Sequence, residues 1–170
     1  MTAAMIERFV SLCHYGHSLG ADGILATCSA FGPAIEEAAR RLPIPVLRPN
    51  EAMFDAAFVL GDRIGMIATF EPSIGSMADE FEEEARRLGR NTMLTTGLAK
   101  GAMEKLRLGD VAGHDRLIAE QAAAMAGVDA IMLAQFSMSG AAAAVRATVT
   151  IPVLTSPETA VLKIKAAVTG

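Results

Sequence analysis

ADGILATCSAF at residues 21–31 and VDAIMLAQFSM at residues 128–138 follow one pattern: an aspartate, an apolar run of strand length, then small and polar residues. The same offset of 107 residues relates IPVLRPNEA at 44–52 to IPVLTSPET at 151–159, with no gap between the two pairs. Two separate segments sharing one register mark an internal repeat. It predicts two copies of one α/β unit facing each other about a pseudo-twofold axis.

Around these segments, short β-type runs alternate with helical patterns. That alternation predicts parallel strands joined by helical crossovers in an α/β layer fold. Strands are expected near 22–28, 44–47, 63–69, 91–95, 129–134 and 151–154. Helices are expected near 3–18, 33–41, 50–60, 73–88, 100–107, 110–125, 139–147 and 157–168. Pro33 and Pro157 suit a first helical turn, and Asn50 and Ser156 suit caps. The lobes divide at 1–62 and 63–170, with the last helix able to pack back on the first lobe. RIGMIAT at 63–69 opens the second copy, yet by the repeat its counterpart would fall about 40 residues before Met1. The first lobe is therefore expected to lack its opening strand, through a start site placed downstream or a deletion, and to expose a sheet edge.

The bulk properties fit a globular chain: 170 residues, 52% hydrophobic, 20% charged, net charge −4. Basic residues are dispersed, without the concentrated footprint of a nucleic-acid binder. No apolar run is long enough to span a bilayer, and Glu7 and the histidines interrupt any signal-peptide core, so no membrane partner and a cytoplasmic location are expected. Cys13 and Cys28 form no staple or metal-ligand spacing.

In open parallel sheets, ligands gather at the carboxyl ends of strands. Five strand-end clusters follow: Thr27, Cys28, Ser29 and Ala30; Ala134, Gln135, Phe136 and Ser137; Arg48, Pro49 and Asn50; Thr155, Ser156 and Pro157; and Thr69, Phe70, Glu71, Pro72 and Ser73. Cys28 is the sharpest candidate, because a helix N-terminus beyond a strand-end thiol favours the thiolate. The alternative reading is a small buried hydrophobe. Backbone N–H groups after Cys28 and Gln135, and near Ser73 and Ser156, could hold a carboxylate. Cys13 and His17 lie one helical turn apart without further zinc ligands, which reads as a helix surface or a lobe contact. His114, among the charges of GDVAGHDRL, reads as a solvated helix residue, and Glu71 as an early-helix acid.

ATCSAFG, LAQFSM, IATFEPS and PVLTSPETAV together resemble the aspartate/glutamate/hydantoin racemase superfamily, which also includes arylmalonate decarboxylase and maleate isomerase. The resemblance implies two pseudo-symmetric parallel-sheet α/β lobes enclosing a small acid, each usually supplying a strand-end cysteine. It implies no pyridoxal phosphate or metal, and a homodimer. Cys28 matches the first-lobe cysteine, whereas Gln135 stands at the second. A two-base racemase needs an acid/base group in each lobe, and an amide has no usable proton-transfer pKa. The expectation is a cofactor-independent racemase or isomerase acting next to the carboxylate of a small amino acid or dicarboxylic acid. In it Cys28 is base or nucleophile and Gln135 a hydrogen-bond donor. Thr27, Ser29, Ala30, Asn50, Thr69, Phe70, Glu71, Ser73, Phe136, Ser137, Thr155 and Ser156 are expected to contact the substrate. A decarboxylating lyase and a protein that binds a small acid without turnover remain the alternatives.

Overall fold

The computed structural model describes residues 1–28 and 31–169. It is a mixed α/β structure with two parallel sheets, divided into a unit of Met1–Ala52 with the C-terminal segment from Thr159, and a unit of Met53–Glu158. No helix among the described residues is long and apolar enough to cross a membrane.

The first unit opens with α1 (Ala3–Ser18), whose Thr2 cap accepts the Met5 N–H at 3.3 Å. Next come β1 (Ile24–Leu25), α2 (Gly32–Arg41) and β2 (Val46–Leu47). Strands β1 and β2 pair in parallel, Ile24 against Val46 and Leu25 against Leu47. Val10, Cys13, Ile35, Ala38, Leu42 and Val46 form the core of this unit. Helix α3 (Glu51–Leu60) leads on to the second sheet.

The second unit contains β3 (Arg63–Ala68), α4 (Pro72–Arg87), β4 (Met93–Leu98), α5 (Ala102–Arg107), α6 (Val111–Ala124) and β5 (Ala130–Leu133). A 3-10 helix (Phe136–Ala141), α7 (Ala142–Arg146) and β6 (Val153–Thr155) follow, and α8 (Ser156–Thr169) ends the chain. The strand order is β4-β3-β5-β6, all parallel. Strand β5 is buried throughout and β3 from Ile64 onward, as expected of central strands covered on both faces. One core face gathers Ile67, Ile118, Ile131, Leu133, Met138 and Val145, and the other Met53, Phe54, Phe58, Met66, Phe81 and Met132.

The repeat is visible in the pairing itself. Ile24 faces Val46 as Ile131 faces Val153, and the Ile24 and Ile131 N–H groups donate to the carbonyls of Pro45 and Pro152. The first sheet has two strands where the second has four, so among the described residues β4 as well as β3 lacks a counterpart.

Three local expectations are corrected. The helix expected over 139–147 is preceded by a 3-10 turn from Phe136, where small residues allow the chain to tighten. His114 is buried, not solvated, because α6 packs against α5, α7 and the 3-10 helix. Cys13 lies in the core of the first unit instead of on a helix surface, and burial raises its pKa, which keeps this thiol protonated.

Candidate active site

In the second unit the site is built where β3 and β5, adjacent and parallel, both end. Gln135, half-buried just past β5, reaches across to the turn after β3. Its Oε1 accepts the Thr69 backbone N–H at 3.0 Å and the Thr69 hydroxyl at 3.2 Å. Its Nε2 donates to the Ser73 hydroxyl at 2.9 Å, and that hydroxyl donates to the Phe70 carbonyl at 2.7 Å. The carboxamide is thus fixed by three bonds, leaving one N–H for another acceptor. Sequence reasoning placed Gln135, Thr69 and Ser73 among the candidates but missed this network; the adjacency of the two strand ends was the signal that could have found it.

The neighbouring candidates differ in exposure. Phe70 and Glu71 are exposed, and Glu71 stands at the start of α4 without making a side-chain cap. Phe136 is half-buried and Ser137 exposed at the start of the 3-10 helix. Thr155 is buried at the end of β6, and its hydroxyl accepts the Glu158 N–H at 3.4 Å. Ser156 is fully buried with its hydroxyl directed at the Met53 sulfur, 3.5 Å away. Both are occupied in holding the start of α8.

In the first unit, Thr27 and Cys28 are exposed beyond β1 and border an apolar groove of about 390 Å³ between that strand and α1. Cys28 is the exposed thiol of the two. Asn50 is buried past β2, where Arg48 pairs with Glu36. Ser29 and Ala30 lie outside the described residues. Cys28 and Gln135 hold equivalent places: each lies three residues beyond a strand residue, Leu25 or Met132, whose partner is a leucine of the next strand. No cluster of acids, histidines and cysteines able to hold a metal occurs among the described residues.

Several solved structures share this fold. A glutamate racemase from Bacillus anthracis aligns with a TM-score of 0.67 at 15% identity, covering 95% of this chain and 64% of its own. Allantoin racemase from Klebsiella pneumoniae gives 0.70 at 19%, covering 95% and 64%. Unliganded arylmalonate decarboxylase gives 0.71 at 17%, covering 100% and 78%. The chain therefore spans about two-thirds to three-quarters of the length of these proteins. No curated protein matches the sequence significantly. The family model described as Asp/Glu/Hydantoin racemase matches residues 5–164. With that match extending through both repeats and their strand-end motifs, the chain belongs to the Asp/Glu/hydantoin racemase family.

Proposed function

We propose that the protein is a cofactor-independent racemase or isomerase of a small carboxylic acid, acting at the carbon next to the carboxylate with Cys28 as its single acid/base or nucleophilic group. The observation that supports this most is the equivalence of Cys28 and Gln135, in which one place carries an exposed thiol and the other an immobilised amide. The Cys28 thiolate removes the proton from the carbon next to the carboxylate, and the electron pair moves into the enolate. The remaining Gln135 N–H donates to an oxygen of that enolate, whose charge a fixed donor stabilises. Ser29, Ala30, Phe136 and Ser137 follow these two groups in the sequence, and Thr69 and Ser73 fix the Gln135 carboxamide, with Thr27 next to Cys28 in the chain. Asn50, Phe70 and Glu71 complete the contacts, while Thr155 and Ser156 act by fixing the start of α8.

Decarboxylation followed by protonation from one side is the second reading, favoured because Gln135 cannot deliver a proton from the other. Incubation of candidate amino and dicarboxylic acids in deuterated water separates the two. Deuterium entering the carbon next to the carboxylate, abolished in Cys28→Ala, supports the first; loss of carbon dioxide supports the second. Unchanged exchange in Cys28→Ala would remove Cys28 from the mechanism.

A further inference from the structure

Either end of a glutamine carboxamide can meet a ligand, as an N–H donor or as a carbonyl acceptor. Around Gln135 the choice has been made. The Thr69 backbone N–H, a donor that cannot be reversed, lies 3.0 Å from Oε1, and the Thr69 hydroxyl donates to the same oxygen at 3.2 Å. At the other end the Ser73 hydroxyl stands 2.9 Å from Nε2. A hydroxyl can donate or accept, but the Ser73 proton is already committed: it goes to the Phe70 carbonyl, 2.7 Å away, which has no proton to give in return. Only lone pairs remain for Gln135.

A reversed carboxamide would set Nε2 against the Thr69 N–H and Oε1 against the Ser73 lone pairs. Two bonds would become two repulsions. Ser73 is itself held in place, because its backbone N–H also donates to the Phe70 carbonyl, at 3.1 Å, where Pro72 opens α4. With both lone pairs of Oε1 and one N–H engaged, a single N–H is all that Gln135 has left to offer.

We propose, on the reading of Gln135 as a group that touches the ligand, that Ser73 is a positioning residue: it fixes Gln135 as a donor, so that the second unit takes a carboxylate, carbonyl or enolate oxygen here and refuses an ammonium group. An amino acid then meets Gln135 through its carboxylate, never through its nitrogen. The selection is made by neutral groups, since Thr69, Ser73 and Gln135 carry no charge. Removing the Ser73 hydroxyl frees Nε2 to swing, because Thr69 holds only the oxygen end of the carboxamide.

Gln121 and Gln135 are the two glutamines of the chain, so heavy-nitrogen labelling of glutamine gives two side-chain amide signals in magnetic resonance, and Gln121→Met identifies that of Gln135. In the native protein the Gln135 amide protons exchange with solvent at least about tenfold more slowly than in Ser73→Ala. Ser73→Thr, which keeps the hydroxyl, keeps the protection. Malonate, which offers acceptors only, moves one of the two Gln135 protons and leaves the one bonded to Ser73 in place; methylammonium, which offers donors only, moves neither. Ser73→Ala weakens malonate binding at least about fivefold and Ser73→Thr less than about twofold, because the alanine variant must order the carboxamide on binding. Equal exchange in the native protein and Ser73→Ala, or loss of protection in Ser73→Thr, overturns the proposal. So does methylammonium shifting Gln135, or malonate shifting the Cys28 backbone amide with Gln135 unmoved. If malonate disturbs neither residue while protection still follows the Ser73 hydroxyl, the positioning of Gln135 stands and it is the function proposed above that fails.

Discussion

Gln135 holds Thr69 by two bonds to one oxygen, accepting the backbone N–H at 3.0 Å and the hydroxyl at 3.2 Å, and so ties the end of β5 to the end of β3. Thr69 is only 7% exposed, so water cannot easily replace the lost acceptor. The side chain at position 135 therefore has a structural duty whatever chemistry the site performs.

Replacing it with an apolar residue exposes that duty. Gln135→Leu leaves the Thr69 N–H and the Ser73 hydroxyl without their partner, at a cost of about 1–3 kcal/mol. Denaturant unfolding monitored by circular dichroism measures it. A loss below the error of that measurement would mean that the network contributes nothing to stability.

Gln135→Cys installs the residue that the family resemblance leads one to expect at this place. The stability cost is about 1–2 kcal/mol, since a thiol cannot reproduce the three bonds. Catalysis should move the other way. With an acid/base group on each side, interconversion of enantiomers rises roughly tenfold or more over the native protein, for any acid that already exchanges its proton. Polarimetry together with deuterium incorporation reads both quantities. A variant that exchanges deuterium as before but gains no racemisation would argue against opposed roles for positions 28 and 135.

The core of the second unit offers a test independent of function. Phe81 is fully buried between Phe54, edge-on at 5.4 Å, and Phe58, at 4.9 Å. Phe81→Ala opens a cavity that these rings cannot collapse into, and a loss of about 3–5 kcal/mol is expected. Thermal and denaturant unfolding should agree on it.

Much of the architecture was legible because it is written in periodicity. Helix α1 begins and ends where the pattern places it, and the 107-residue offset reappears as identical pairings at Ile24 and Ile131. What was not legible depends on contacts between distant positions. The Gln135 bonds to Thr69 and Ser73 join residues more than 60 apart, and no local pattern announces them. His114 sits near Asp110, Asp115 and Arg116 in sequence, which suggested solvent, but its burial is decided by the elements packed on α6. The expected strand at 91–95 is β4 at Met93–Leu98, shifted because its register is set by β3, Arg63 against Met93, more than by its own composition. At the first sheet, the repeat led to the expectation of one unmatched strand, whereas the strand order among the described residues leaves both β3 and β4 without a counterpart.

The bond that starts β3 also makes stability depend on pH. The Arg63 guanidinium, and secondarily its backbone N–H, holds the Asp129 carboxyl below the usual carboxylate range. A depressed folded-state pKa means that the contribution is complete above the unfolded value of about 3.9 and is lost as pH falls through the lower folded value. Glu7, bonded to Arg41, Glu37, bonded to Arg40 and then Arg41, and Asp110, bonded to Lys105, shift in the same direction. The melting temperature is accordingly expected to fall as pH drops below about 4. Asp129→Asn removes one of these groups, so the variant is less stable near neutrality while its curve declines less steeply into acid. Gly61→Ala gives an orthogonal route to the same pair, since a Cβ at residue 61 would lie 2.5 Å from that of Asp129 and push the carboxylate off Arg63. Both variants should flatten the acid limb. If Asp129→Asn instead follows the native curve in parallel, the Arg63–Asp129 pair plays no part in the acid response.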